Sequence, residues 1–188
     1  MRYAQVRSMD ISNGEGIGVS LFVQGCPFNP HCTNCFNPDT WDFSGGKEWT
    51  PEVEDKLIEL ANRPYIKRLS ILGGEPLADE NLDGVLHLVN RFRLSLPNKT
   101  IWLYSGFRWE ECQPFNEDGL LKPDKFAPNL QKILHKRYEV ISMCNVMVDG
   151  RYIDSQRNPS KKWAGSDNQR IIDIRKSLEQ NKIVLHCD

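Results

Sequence analysis

Residues 18–37 read GVSLFVQGCPFNPHCTNCFN, an apolar run that stops at a glycine and gives way at once to three closely spaced cysteines. Gly18–Gln24 has the length and apolar content of a buried strand, ended by Gly25. Cys26, Cys32 and Cys35 then fall within one short loop. Such a thiol trio is a ligand set for zinc or for an iron–sulfur cluster, and the loop alone leaves both open. With His31 the cysteines make a Cys3His zinc set, although adjacent residues such as His31 and Cys32 point apart in an extended loop. Three thiolates equally suit a [4Fe–4S] cluster whose fourth iron has no protein ligand and is open to chemistry.

Downstream, apolar runs alternate with helical patterns. Thr50 and Pro51 start a helix to about Ala61, with Thr50 as N-cap and Val53, Leu57, Leu60 and Ala61 on its apolar face. Ile66–Leu72 reads as a strand, Asn81–Leu96 as a helix and Thr100–Tyr104 as a strand. Arg108–Asp124 reads as loop with one helical turn, Asn129–Lys136 as a short helix and Val140–Val148 as a strand. Residues 151–168 read as loop, Gln169–Ile172 as a strand, Asp173–Gln180 as a helix and Lys182–His186 as a last strand. Alternation of this kind predicts a parallel sheet with crossover helices. Its strands end in Gln-Gly, Gly-Gly, Ser-Gly and Asp-Gly, on the rim where parallel α/β folds build sites. The chain is too short for a closed eight-stranded barrel, which takes about 250 residues, so an open, partial β/α barrel is expected.

The bulk numbers set bounds. The 188 residues, 39% hydrophobic and 26% charged, fit a single domain spanning 1–188. A net charge of −1 predicts no nucleic-acid or membrane footprint. No apolar run is long enough to span a bilayer, and the start, MRYAQVRSMD, lacks the apolar core of a secretory signal, so a cytoplasmic protein is expected. Its six cysteines then read as ligands or free thiols. Cys112, Cys144 and Cys187 lack ligand spacing and read as ordinary thiols, and His87 and His135 as helix residues without a ligand role.

Two further strand ends carry polar or flexible groups. Gly73-Gly74-Glu75-Pro76 offers backbone that admits close approach, a carboxylate for an ammonium group, and a proline that stiffens the turn. Tyr104-Ser105-Gly106 offers a hydroxyl for a carboxylate or ribose. Either segment alone reads equally as an ordinary turn.

Taken together, the cysteine loop, GGEP and YSG, in this order and each at a strand end, resemble the radical S-adenosylmethionine (SAM) superfamily. More narrowly, the chain looks like the activating proteins of anaerobic (class III) ribonucleoside-triphosphate reductases. Asn13–Gly16, Leu21–Cys26, Cys35–Asn37 with Thr40-Trp41, Ile101–Phe107, Val148–Tyr152 and Trp163–Arg170 carry that resemblance. Three departures stand out. The superfamily's usual C-x3-C-x2-C is here C-x5-C-x2-C, and the extra residues among Pro27–His31 are expected to bulge outward. Gly18 stands where the family often has arginine, and Asn145 where it often has aspartate.

The resemblance implies that Cys26, Cys32 and Cys35 hold a [4Fe–4S] cluster, whose fourth iron is chelated by the amino and carboxylate groups of SAM. It implies that Gly73, Gly74, Glu75 and Pro76 surround the amino group. Ser105, with Asp149 or Arg151, would line the methionine or ribose side, and Asn34 and Phe36 the adenine. Asn168-Gln169-Arg170 divide between a polar turn and contacts to SAM or the partner. The implied partners are the anaerobic reductase and a flavodoxin- or ferredoxin-like electron donor; the implied activity is generation of a glycyl radical. Competing readings are a small-molecule enzyme resembling 7-carboxy-7-deazaguanine synthase, an activase of another glycyl-radical enzyme, and a zinc-binding interaction module. The VDGRY and GSDNQR stretches favour the reductase activase, and stoichiometric zinc without SAM binding would favour the last.

Overall fold

A computed structural model describes residues 1–114 and 128–187. Seven strands form one open sheet: β1 (Arg2–Asp10), β2 (Gly18–Val23), β3 (Lys47–Glu48), β4 (Arg68–Gly73), β5 (Thr100–Ser105), β6 (Val146–Asp149) and β7 (Arg170–Asp173). Their order is β3-β1-β2-β4-β5-β6-β7. The centre, β2, β4, β5 and β6, is parallel, whereas β1, β3 and β7 pair antiparallel at the edges. The sheet is therefore mixed α/β and not closed.

Among the described residues, the helices α1 (Pro51–Ala61), α2 (Asp79–Ser95), α3 (Pro128–Ser142) and α4 (Ile174–Gln180) provide the other layer. Thr50 caps α1, its hydroxyl accepting the Val53 amide, and Asp173 caps α4 through the Lys176 amide. Strand side chains alternate between faces, and the helices cover one face only. Val19, Leu21, Leu69, Ile71, Ile101, Leu103 and Met147 form one core with Leu57 of α1, Leu82 and Phe92 of α2, Val140 of α3 and Ile174 of α4. The alternate residues Trp102, Val146, Val148 and Ile171 form a second, smaller cluster with Trp163, Ala164 and Cys187, and among the described residues no helix residue joins it.

Several expected boundaries move. Strand β1 was not anticipated: only one of its nine residues is buried, so it lacks a clean inward-outward alternation. The expected strand Val140–Val148 shortens to Val146–Asp149, because α3 runs on to Ser142 and buries Val140 and Ile141 in the helix-side core. A short β-branched run does not distinguish a strand from a buried helical turn. The expected last strand, Lys182–His186, is an isolated bridge of Leu185 to Ile172. Of the expected loop Arg108–Asp124, the helical turn is a 3-10 segment at Trp109–Cys112, and residues 115–124 lie outside the described residues.

Candidate functional site

The ends of β2, β4, β5 and β6 share one rim, and an open cleft of about 550 Å³ lies along it and over the helix-free face. Its wall includes Cys26, Cys32, Cys35, Phe36, Gly73, Gly74, Glu75, Ser105 and Arg151, which the sequence had placed there. It also includes Phe22, Phe28, Trp41, Leu72, Tyr104 and Tyr152. Phe22, Trp41, Tyr104 and Tyr152 lie in segments that carry the resemblance but were given no role at the site, and strand parity is what turns Phe22, Leu72 and Tyr104 to the open face.

The cysteine loop is tied to the neighbouring strand end by backbone. Gly25 and Cys26 donate to the carbonyls of Thr40 and Trp41 at 2.8 and 3.0 Å. Gly74 donates to Val23 O at 2.9 Å, and Glu75 to Gly25 O at 2.7 Å. Asn81 Nδ2 bridges the two segments through the carbonyls of Gln24 and Glu75. The two glycines thus have a structural task besides facing the cleft. Gly73 has φ +115°, and a Cβ on Gly74 would run into the Gly25 carbonyl and lie 2.8 Å from Thr40 O.

Glu75 is buried and accepts three bonds, from Leu77 N (2.9 Å), Ser105 Oγ (2.8 Å) and Gly106 N (2.7 Å). Its carboxylate braces the ends of β4 and β5 together. Burial pushes its pKa from 4.5 up to about 7, against the lowering effect of those donors and of Arg137. Because the folded value is raised, the stability Glu75 contributes is complete below about 4.5 and lost as pH rises through about 7. In metal-free protein, urea midpoints should therefore fall from pH 4.5 to 7.5, and Glu75→Gln should flatten that component while lowering the acid baseline. An unchanged slope in Glu75→Gln would assign it to other groups.

The three thiols lie half-buried, and burial pushes Cys26 up to about 11 against a backbone hydrogen bond at Phe28, with negative charge at Glu75, Cys32 and Cys35 adding to the rise. Positive metal charge would favour the Cys26 thiolate against that burial. Among the described residues no three metal-binding side chains stand close enough to share one ion. All three thiols line the same cleft, and a cubane would take each at a separate iron corner. His31 does not join the thiols: its ring stacks on Trp41 at 4.1 Å with planes 10° apart.

The remaining candidates fall outside the cleft wall. Asp149 is buried, and it accepts from Trp109 N and from Arg170, which also forks onto Glu110 at 2.8 and 2.9 Å. Asp149 and Arg170 thereby fasten the 3-10 segment to the end of β6. Asn168 bonds Arg151 O and Ser166 Oγ, stitching the 151–168 loop. Asn34, in the left-handed region at φ +54°, bonds Asp154. Pro76 is buried beside Glu75. Phe36, by contrast, lines the cleft; it is 61% exposed and meets Tyr152 at 4.9 Å, leaving most of its ring open.

The departures acquire local explanations. A side chain at Gly18 would collide with Arg68, whose buried guanidinium fills that space and bonds Ser70 Oγ (2.5 Å), Asp10 O (2.9 Å) and Asp10 Oδ1 (3.2 Å). Asn145 lies at the end of β6 away from the cleft, where its carbonyl accepts from Ile101 N and Arg93. The cysteine-loop insertion does not simply bulge outward. Phe28 turns into the cleft wall and packs on Phe107 at 4.9 Å, because an aromatic ring gains more from that apolar contact than from water.

Comparison with known proteins agrees with this geometry. The model of a family described as "4Fe-4S single cluster domain" matches residues 12–172, which include the cysteine loop and the four parallel strands. Fold and site thus define a single-cluster iron–sulfur protein. The anaerobic ribonucleoside-triphosphate reductase-activating protein of Salmonella typhi is 34% identical over 177 residues, covering 93% of this chain and all of the relative. The proteins of that name from Vibrio cholerae serotype O1 and Enterobacteria phage T4 are 35% and 31% identical, each over 91% of this chain and 97% and 93% of their own. The chain belongs to the family of anaerobic ribonucleoside-triphosphate reductase-activating proteins.

Proposed function

We propose that this protein is a radical SAM activase that generates the glycyl radical of an anaerobic ribonucleoside-triphosphate reductase. The observation that carries the reading is the convergence of Cys26, Cys32 and Cys35 with Gly73-Gly74 and Ser105-Gly106 on one open cleft. The open sheet, with helices on one face and the cleft over the other, supports the partial β/α barrel of that superfamily. When bound, a reduced [4Fe–4S] cluster would supply the electron that splits the SAM sulfonium bond, giving methionine and a 5′-deoxyadenosyl radical that takes an α-hydrogen from glycine.

The chain's part is to bind, orient and exclude water. Cys26, Cys32 and Cys35 would hold three irons. Backbone at Gly73 and Gly74 would receive the SAM amino group, with the buried Glu75 charge behind it favouring a cation. Ser105, bonded to Glu75, and Arg151, bonded to the cysteine loop, would shape the carboxylate or ribose side as supports, and Phe36 would stack on the adenine, with Asn34 positioning that loop. Pro76, Asp149, Asn168 and Arg170 would support these contacts through the bonds that brace the strand ends. A glycine in another protein must arrive on a chain segment, and a cleft open at one side admits one. An electron donor of flavodoxin or ferredoxin type and a cytoplasmic setting complete the reading; among the described residues no helix is long and apolar enough to cross a membrane.

Anaerobic reconstitution, reduction and addition of SAM with the reductase from the same source test it by electron paramagnetic resonance. A glycyl doublet on the reductase is expected. A cluster signal perturbed by SAM without that doublet would move the function to another substrate, and absence of a cluster signal would overturn it.

A further inference from the structure

The lengthened cysteine loop is held by a continuous run of contacts that begins in α3. The Arg137 guanidinium, its Nε donating to Leu77 O at 2.9 Å just past the GGEP turn, lies 3.9 Å from the centre of the Phe107 ring. Phe107 meets Phe28 at 4.9 Å. The Arg151 guanidinium lies 4.9 Å over the Phe28 ring, and its Nη2 donates to Pro30 O at 2.5 Å. The backbone beneath is fastened too: Gly150 N donates to Phe107 O at 3.3 Å, and Asn168 Nδ2 to Arg151 O at 2.8 Å. Gly106 completes the fit, since a Cβ there would collide with the Phe28 ring.

Phe28 and Pro30 both lie between Cys26 and Cys32, in the spacer that is two residues longer than the superfamily's usual form. A longer spacer has more conformations to lose before its thiols can meet three irons. Preorganised contacts within the loop reduce that loss. Cation–π and aromatic pairs suit the task, because they grip from the side and leave the thiols unobstructed.

We propose that Phe28 and Arg151 act as one clamp that holds the lengthened cysteine loop on the ends of β5 and β6, and so positions Cys26 and Cys32 relative to the Ser105-Gly106 wall. The proposal rests on the function argued above, in that the cluster and SAM are the ligands positioned. Arg151 thereby acts through Phe28 and Pro30, as a positioning residue and not as an independent contact to SAM.

A double-mutant cycle on the cluster-loaded protein tests it, with two readouts that need no turnover: the rate at which a chelator strips the iron, and the dissociation constant for SAM. Phe28→Ala is expected to lose iron about tenfold faster and to bind SAM about tenfold more weakly, the scale of a lost aromatic and cation–π pair. Arg151→Ala should match it, and the double variant should be no worse than either, because both remove the same clamp. Phe28→Tyr, which keeps the ring, should behave as wild type. Equality of Phe28→Ala with wild type would overturn the clamp, as would single effects that multiply to about a hundredfold in the double variant. Failure of the wild-type protein itself to assemble a cluster or bind SAM would instead overturn the proposed function.

Discussion

Alanine at Cys26, Cys32 or Cys35, one at a time, is expected to reduce SAM cleavage below about 1% of wild type, since on the proposed function each thiolate would hold a separate iron. His31, the nearest alternative ligand in sequence, is committed to its stack on Trp41. Cys112 and Cys144 are buried in the helix-side core, and Cys187 packs in the cluster around Trp102. Alanine at any of these three should leave cleavage within about twofold once the protein is folded, with a modest stability loss at the buried pair. Iron content, the visible cluster absorption and 5′-deoxyadenosine release together check the series. Full activity in a variant of Cys26, Cys32 or Cys35 would remove that residue from the ligand set.

Gly74→Ala is expected to destabilise the metal-free protein by about 3 kcal/mol, at the upper end of overpacking costs. The added methyl would meet two backbone carbonyls, that of Gly25, with its carbon at 2.7 Å, and that of Thr40, with its oxygen at 2.8 Å. Backbone in a hydrogen-bonded strand end cannot turn aside as a flexible side chain can. The bond from Glu75 N to Gly25 O, at 2.7 Å, would break, and the cysteine loop would lose its seat on β4. Thermal midpoints should fall by roughly 6–12 °C, and anaerobic reconstitution should incorporate little iron. A variant with a wild-type midpoint and full iron would show that the turn relaxes without disturbing the loop.

Local chemistry made much of this legible before any coordinates. The apolar runs at 18–24, 66–72 and 100–104, which lie in the parallel core, were legible because each is short, apolar and ended by a glycine-containing turn. The edges were harder to read. β1 is divided between exposed and half-buried positions, and α3 runs through a β-branched stretch that its pattern alone assigns to a strand. Within the site, Gly74 illustrates the limit: the sequence shows a residue that tolerates close approach, and the structure shows that its own chain is what approaches.

The sequence by itself determined the cysteine trio, the glycine-rich strand ends and the family, because each is a matter of residue type and order along the chain. Only the tertiary structure decided which side chains face the cleft. Strand parity sends Tyr104 toward the open face and Ser105 toward Glu75, Asp149 is taken up by Trp109 N and Arg170, and Arg151 reaches across 121 positions to grip the loop at Pro30. Direction and contact depend on packing between distant segments, which periodicity along one segment does not record.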